Sequence, residues 1–369
     1  MNDRNPPLSD RIHNQTFPAL EAHYCEAGTA SRRSVLTAER DALSARPGNP
    51  IIASRTAVST AFIFPGQGSQ AIGMGRALGD ASPAARAVFQ EVDEALGQHL
   101  SRLMFDGPED ELTLTANAQP AIMAVSLAAL AMLERDGGFR LSEKAGLVAG
   151  HSLGEYSALA AAGVFTLADT ARLLRLRGDA MQASVAPGKG AMAAILGLDG
   201  EAVARAVADA AQGEICACAN DNAPGQVVVS GHRTAVDRAI ELAKAAGARR
   251  AMLLNVSAPF HCALMAPAAA AMAAALAQTA MQAPVVPLVA NVTAASVTDM
   301  GEIRRLLVEQ VTGTVRWRES VDAMAASGTV RMVEFGAKVL GPMIKRIAPD
   351  LQCLSITGPD DVEAVLKLF

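Results

Sequence analysis

The pentapeptide Gly150-His-Ser-Leu-Gly154 and its surroundings constrain the fold more than any other feature. A short apolar run, residues 145–149, precedes it, and an Ala-rich stretch begins just after Glu155. A Gly-x-Ser-x-Gly pattern between a strand and a helix is typical of a nucleophile elbow, a sharp turn that exposes the serine hydroxyl. Flanking glycines suit it because the backbone segments approach too closely for side chains. The pattern predicts Ser152 as a nucleophile and the amide of Leu153, at the helix start, as a donor to an oxyanion.

Short apolar strands alternate with Ala- and Leu-rich helical stretches from Thr60 to the end of the chain. Such alternation favours a parallel sheet that is covered by helices on both faces. The elbow strand is expected in the centre of this sheet. Candidate helices cover residues 82–97, 119–135, 155–162 and 168–184.

Residues 187–255 have a different rhythm, in which the order strand, helix, strand, strand, helix, strand is that of a ferredoxin-like unit. Residues 220–225, Asn-Asp-Asn-Ala-Pro-Gly, are expected to form the hairpin turn at its middle. We therefore predict an α/β fold with two subdomains and a cleft between them. An α/β-hydrolase-like large subdomain with a parallel-sheet core comprises residues 58–186 and 256–369, and the ferredoxin-like small subdomain is inserted into it.

Residues 1–57 are polar, contain seven Arg and no Lys, and have no sustained periodicity. We expect a disordered N-terminal extension. It has no apolar core of the kind found in a secretory signal. Its acidic residues argue against a mitochondrial presequence, although the Arg bias leaves that alternative open. A translation start placed too far upstream is a second open alternative.

Composition indicates a soluble, cytoplasmic protein: 51% of the 369 residues are hydrophobic, but no uninterrupted apolar stretch marks a membrane span. The five Cys are an odd number without metal-ligand spacing, which favours reduced thiols and no metal site. The net charge of −5 argues against nucleic-acid binding. An acidic protein partner would have to meet a local basic patch.

A serine nucleophile needs a base, because its hydroxyl is protonated at neutral pH. Of the six His, His13 and His23 lie in the N-terminal extension, and His99, His151 and His232 are less suitably placed. The remaining one, His261, lies where the chain leaves the small subdomain, facing the cleft. Spacing alone leaves two alternatives open: a catalytic base, or a buried structural histidine.

Together these residues resemble the malonyl-CoA:acyl carrier protein transacylases of bacterial fatty-acid synthesis, over about residues 60–369. The resemblance lies in the order and spacing of five segments rather than in any one of them. The segments are Phe64–Gln70, Gly150–Tyr156, Arg177–Gln182, Pro259–Met265 and Lys338–Leu340.

The resemblance implies a Ser152–His261 dyad with no acidic third member. It implies that the amide of Gln67 completes the oxyanion hole with that of Leu153, and that the main-chain carbonyl of Gln310 orients the histidine. A merely tight loop at Gln67 is the alternative.

The resemblance also makes Arg177 the specificity residue, because a guanidinium matches the free carboxylate of a malonyl group. Met181 lies four residues further along the same predicted helix and therefore shares its face. Phe260 resembles the bulky residue of malonyl-selective acyltransferases. Asn222 corresponds to a polar neighbour of the site, with a turn-forming role as the alternative.

The resemblance implies two partners, malonyl-CoA and an acidic acyl carrier protein, and no cofactor, since coenzyme A enters as part of a substrate. Arg249 and Arg250 are the first candidates for carrier-protein docking, and Lys345 and Arg346 the second. Solvated surface charges are the alternative for both pairs. We expect a monomer.

The predicted function is transfer of malonyl from malonyl-CoA to the phosphopantetheine thiol of acyl carrier protein, through a malonyl-Ser152 intermediate. The alternative enzyme is a stand-alone polyketide or malonate-decarboxylase-type acyltransferase with a different carrier-protein acceptor, or a hydrolase. A non-catalytic module that binds carrier protein is the alternative from another class.

Overall fold

A computed structural model of the chain describes residues 60–369, so the predicted extension of residues 1–57 lies outside the described residues. The strands, in chain order, are β1 Thr60–Phe64, β2 Leu147–Gly150, β3 Gly190–Leu196, β4 Cys216–Ala223, β5 Gln226–His232, β6 Arg250–Leu253, β7 Leu288–Val289, β8 Ser296–Val297, β9 Arg331–Phe335 and β10 Gln352–Ile356. A 3₁₀ turn covers Ala263–Met265. The α-helices are α1 Arg76–Ala81, α2 Pro83–Leu96, α3 Leu100–Asp106, α4 Glu109–Thr113, α5 Thr115–Gly137, α6 Leu141–Lys144, α7 Gly154–Ala161, α8 Leu167–Ala183, α9 Gly200–Ala211, α10 Arg233–Ala245, α11 Ala266–Gln278, α12 Met300–Thr312, α13 Trp317–Ala326, α14 Gly341–Ile347 and α15 Pro359–Leu366.

The larger sheet has the strand order β10-β9-β1-β2-β7-β8. All neighbouring pairs are parallel except β7 with β8. Every residue of β1 and β2 is buried, because helices cover both faces of the sheet, as the apolar runs predict. The register pairs Phe64 with Gly150, so the loops that follow β1 and β2 leave the same edge of the sheet side by side. This pairing brings the Gln67 loop next to the elbow.

The smaller sheet is antiparallel, with the order β4-β5-β3-β6. Together with α9 and α10 it has the βαββαβ order that the sequence predicts, in ferredoxin-like arrangement. Apolar residues of both helices pack on one face, whereas Met192, Ala194 and Val228 on the other face line a cavity. The predicted fold class, a parallel-sheet core with an additional ferredoxin-like unit, is confirmed; the subdomain boundaries at 187 and 255 stay a prediction.

The predicted hairpin is present, but its turn is shorter than the predicted residues 220–225. Strand β4 continues to Ala223, and only Pro224 and Gly225 connect it to β5. Asn222 is therefore a strand residue; it is buried, and its Oδ1 lies 2.8 Å from His151 Nε2. The hydrogen bond to His151 satisfies the buried side chain of Asn222 within the strand, although asparagine commonly occurs in turns.

Helix α5 is long and apolar enough to cross a membrane by length and composition alone. In the structure, 89% of its apolar window is buried inside the protein. It contacts α2 and α8, and it forms the centre of the helical layer on one side of the larger sheet. The apolar composition of α5 is thus accounted for by its place in the core.

Gly178 allows α8 to approach the start of α5. A Cβ at this position would lie 2.6 Å from Ala116 Cα and 2.7 Å from the carbonyl oxygen of Thr115, both of them backbone atoms. We expect Gly178→Ala to lower the free energy of unfolding by about 1–3 kcal/mol, measured by urea denaturation. Gly200→Ala is the control, because its Cβ would meet no atom of the described chain within 4 Å. An equal stability change in both variants would contradict the close approach.

Candidate active site

The elbow is formed as the sequence predicts. Strand β2 ends at Gly150, α7 begins at Gly154, and Ser152 between them has φ 54°, in the left-handed region. A Cβ at Gly150 would lie 1.9 Å from the carbonyl carbon of Gly154, and one at Gly154 would lie 2.2 Å from the carbonyl oxygen of Phe64. Both positions therefore require glycine, and the turn presents the Ser152 hydroxyl to the cavity.

His261 is in hydrogen-bond contact with the predicted nucleophile. Its Nε2 lies 2.8 Å from Ser152 Oγ, and its Nδ1 lies 2.9 Å from the main-chain carbonyl oxygen of Gln310. A carbonyl oxygen only accepts, so Nδ1 carries the proton and Nε2 is left as the acceptor. Burial and the nearby charge of Arg177 lower the pKa of His261 to about 3. The imidazole is consequently neutral at neutral pH and able to accept the Ser152 proton.

Arg177 is buried, with 1% of its surface exposed, directly beside the serine. Its Nη1 donates to Gln119 Oε1 at 2.8 Å, and its Nη2 donates to Gln310 Oε1 at 2.9 Å and to Ser152 Oγ at 3.2 Å. These acceptors are neutral, and no described carboxylate forms an ion pair with this guanidinium. The positive charge is therefore available to an anionic group in the cavity.

The Gln67 loop and the elbow border the same cavity. Asn291 Oδ1 accepts from the Ser152 amide at 2.8 Å, which removes that amide as a donor. The Gln67 and Leu153 amides donate to no other group of the described chain. The Gln67 side chain turns instead to Thr115, with Nε2 3.3 Å from Oγ1. The two main-chain amides are thus free to bind an oxyanion.

The cavity has a volume of about 640 Å³, a size typical of small-molecule sites. It lies between the loops of the larger sheet and the face of the smaller sheet that α9 and α10 do not cover. Apart from Gln310, which lies behind Arg177 and His261, all the predicted catalytic and substrate-binding residues line it. Its wall includes Gln67, His151, Ser152, Leu153, Arg177, Met181, Asn222, Phe260 and His261.

The sequence pattern gave no indication of two further residues, Glu155 and Asn291. Both are buried, and Glu155 Oε2 accepts from the Asn291 amide at 3.0 Å and from Gln310 Nε2 at 2.9 Å. Burial raises the pKa of Glu155 to about 7. Glu155 directly follows the elbow motif, and Asn291 follows β7, whose carboxyl end lies beside that of β2. A polar residue after a buried strand is the signal that could have indicated Asn291.

Among residues 60–369, no group of three or more His, Cys, Asp or Glu side chains is arranged to hold a metal ion. Cys262, next to His261, is buried, and its Sγ lies 3.2 Å from the carbonyl oxygen of Pro259. Burial raises the pKa of the Cys262 thiol. Cys262 is not among the residues that line the cavity, whereas Ser152 is.

Comparison with known proteins agrees with this geometry. The acyl transferase domain family matches residues 61–339. The chain is 45% identical to the malonyl CoA-acyl carrier protein transacylase of Escherichia coli K12, covering 84% of this chain and 99% of that protein. The chain belongs to the malonyl CoA-acyl carrier protein transacylases. The corresponding enzyme of Bacillus subtilis is 43% identical, over 83% of this chain and 96% of its own length.

Solved structures of this transacylase family have the same fold. The acyl-carrier-protein S-malonyltransferase of Bartonella henselae is 52% identical and superposes with a TM-score of 0.82, covering 84% of this chain and 99% of that one. A malonyl-transacylase solved in complex with its type II PKS acyl-carrier protein is 41% identical, with a TM-score of 0.81, over 84% of this chain and all of its own. The whole described part of the chain therefore corresponds to a complete transacylase.

The two basic pairs predicted for docking lie on the surface. Arg249 and Arg250 are exposed at the start of β6, an edge strand that leads into cavity-lining residues 254–257. Lys345 and Arg346 are exposed at the end of α14, but Arg346 donates to Gln226 Oε1 and to the Pro224 carbonyl oxygen, each at 2.7 Å. The first pair is therefore freer to meet a partner.

We expect Arg177→Gln to raise the pKa of His261, because it removes a nearby positive charge while the burial of the imidazole remains. Imidazole ¹⁵N chemical shifts, followed over the pH range in which the protein stays folded, measure this change. Arg172→Gln on the same helix is the control, since Arg172 is exposed and pairs with Asp169. A His261 pKa that is unchanged or lower in Arg177→Gln would contradict the electrostatic coupling.

Proposed function

We propose that the chain transfers the malonyl group of malonyl-CoA to the phosphopantetheine thiol of acyl carrier protein, through a malonyl ester on Ser152. The buried Arg177 guanidinium is the observation that carries this proposal. It lies 3.2 Å from the serine oxygen and has only neutral hydrogen-bond partners in its surroundings. An acyl group that ends in a carboxylate supplies the missing negative charge, whereas an acetyl group leaves the buried charge unpaired.

In the first half-reaction, His261 Nε2 takes the Ser152 proton as the oxygen attacks the thioester carbonyl carbon of malonyl-CoA. The amides of Gln67 and Leu153 bind the oxyanion of the tetrahedral intermediate. When the intermediate collapses, the C–S bond breaks and His261 returns the proton to the coenzyme A sulfur. The products are the malonyl-Ser152 ester and free coenzyme A.

In the second half-reaction, the phosphopantetheine thiol of the carrier protein enters the same cavity. His261 takes the thiol proton, the sulfur attacks the ester carbonyl carbon, and the proton returns to Ser152 as the C–O bond breaks. The overall reaction exchanges one thioester for another and changes no oxidation state, so the proposed chemistry needs no cofactor. The Gln310 carbonyl oxygen supports the His261 imidazolium in each half, where other enzymes use a carboxylate.

Substrate selectivity is assigned to three residues besides Arg177. Met181 contacts Gln119, the partner of the guanidinium, with Sδ 3.8 Å from Nε2. Phe260 is nearly buried in the cavity wall and fills the space that a branched acyl group would need. Asn222 forms a hydrogen bond with His151 and does not form a turn. We assign Met181 and Phe260 to packing against the malonyl group and Asn222 to shaping the wall.

Two observations bear on the carrier protein. An acidic partner fits the exposed pair Arg249 and Arg250, which precede the cavity-lining residues 254–257 along the chain. The similar malonyl-transacylase that was solved with a type II PKS acyl-carrier protein favours a polyketide carrier as a second candidate acceptor. Transfer assays with carrier proteins of both classes distinguish the two. The free thiols of Cys216, Cys218, Cys262 and Cys353 support the proposed cytoplasmic location, and a monomeric state stays a prediction.

We expect malonyl-CoA to add one malonyl group to Ser152, seen as a mass increase of the intact protein that is lost in Ser152→Ala. Arg177→Ala should reduce the preference for malonyl-CoA over acetyl-CoA on the order of a hundredfold or more, because it removes the partner of the carboxylate. Arg172→Ala, an exposed position on the same helix, is the control. An unlabelled wild-type protein would refute the proposed function, and an unchanged preference would refute the role of Arg177.

A further inference from the structure

Asn291 spans the elbow from behind. Its side chain is fully buried at the carboxyl end of β7. Oδ1 accepts from the Ser152 amide at 2.8 Å, and Nδ2 donates to the Gly150 carbonyl oxygen at 2.7 Å. One amide group therefore bonds the residue before the turn and the residue at its apex, on the side opposite the cavity.

Asn291 is also connected to the residues that place the base and the guanidinium. Gln310 Nε2 lies 3.2 Å from Asn291 Oδ1, 2.9 Å from the Ser152 carbonyl oxygen and 2.9 Å from Glu155 Oε2. The same Gln310 accepts from His261 through its main chain and from Arg177 through its side chain. Asn291 thus joins the elbow to the residue that orients the other two functional side chains.

The hydrogen bonds of Asn291 lie at the strained part of the elbow backbone. Ser152 has φ 54°, a conformation that costs a residue with a Cβ roughly 1–2 kcal/mol and persists only when its surroundings impose it. Asn291 imposes it by pairing the Ser152 amide and the Gly150 carbonyl group. The first of these bonds also keeps the Ser152 amide out of the oxyanion hole, which leaves that task to Leu153 and Gln67.

We propose that Asn291 is a positioning residue for acyl transfer. It fixes the elbow so that Ser152 Oγ lies within hydrogen-bond distance of His261 Nε2 and on the line of attack toward a bound thioester. This assignment rests on the proposed function and deepens it, because Asn291 touches neither substrate nor the reacting atoms and acts through the elbow and Gln310.

The test separates positioning from stability by the two parameters of a single-turnover reaction. Asn291→Ala is mixed with excess malonyl-CoA, and the malonyl-enzyme is quantified by rapid quench and intact-protein mass spectrometry. Displacement of the nucleophile by a fraction of an ångström should lower the acylation rate constant about 10–100-fold. The final acylated fraction should match that of wild type. A purely structural role would lower the acylated fraction and leave the rate constant of the folded molecules unchanged.

Asn291→Asp provides a nearly isosteric variant with a pH-dependent readout. The introduced carboxylate keeps an acceptor for the Ser152 amide but faces the Gly150 carbonyl oxygen and the Glu155 carboxylate, so its pKa is raised. The other charged or titratable groups of the network, Glu155, Tyr156, Arg177 and His261, are also present in wild type, so division by the wild-type rate constant at each pH corrects for their titration. Protonation restores an O–H donor toward Gly150. The acylation rate constant of the variant, divided by that of wild type at the same pH, should therefore rise as the pH falls.

Asn117→Ala is the matched control. Asn117 is also a buried asparagine, and its Nδ2 also donates to a main-chain carbonyl oxygen, that of Glu111 at 2.8 Å. Its rate constant should equal that of wild type. An acylation rate constant within twofold of wild type in Asn291→Ala, or a pH-independent ratio in Asn291→Asp, would overturn the inference. Absence of acylation in wild type itself would instead refute the proposed function.

Discussion

The buried positive charge of Arg177 is the constraint on which the rest of the site depends. A guanidinium without a carboxylate hydrogen-bond partner is costly to bury, and here the amide oxygens of Gln119 and Gln310 satisfy part of its hydrogen-bonding capacity without adding a negative charge. Burial, together with this charge, lowers the pKa of His261 and keeps the base neutral. An acidic residue beside His261 would raise the pKa of His261 and would compete with an anionic substrate for the charge of Arg177. The site uses the Gln310 carbonyl oxygen instead, which orients the imidazole and adds no charge.

The two sheets make this arrangement possible. In the larger sheet, parallel pairing of β1 with β2 and of β2 with β7 brings the Gln67 loop, the elbow and Asn291 to one edge. The smaller sheet closes the cavity with the face that α9 and α10 leave uncovered. Chemistry therefore resides at the carboxyl ends of parallel strands, as is general for α/β folds, and the inserted unit supplies the wall of the cavity.

Much of the fold and part of the site could be predicted from local sequence. The order of strands and helices within residues 187–255 was predicted, and the elbow followed from two glycines around a serine, because both signals are local in the sequence. Arg177 and Met181 share a helix face through their spacing of four. The turn within residues 220–225 is shorter than predicted, since Asn222 stays in the strand and makes a buried contact with His151, 71 residues away in the sequence.

Contacts over long sequence separations account for what the sequence pattern did not indicate. Asn291 reaches Ser152 across 139 residues, and Glu155 reaches Gln310 across 155. Strand β7, which places Asn291, is only two residues long and gives no periodic signal. The contact of His261 with Ser152 was expected by elimination and resemblance rather than by spacing.

The acceptor step tests the central claim most directly. Isolated malonyl-enzyme, freed of malonyl-CoA, is mixed with a holo acyl carrier protein, and both intact masses are followed in a single turnover. The account predicts that each malonyl group lost from Ser152 appears on the phosphopantetheine thiol, faster than free malonate is released in a control with apo carrier protein. Loss of the malonyl group as free malonate at the same rate with either carrier would contradict it.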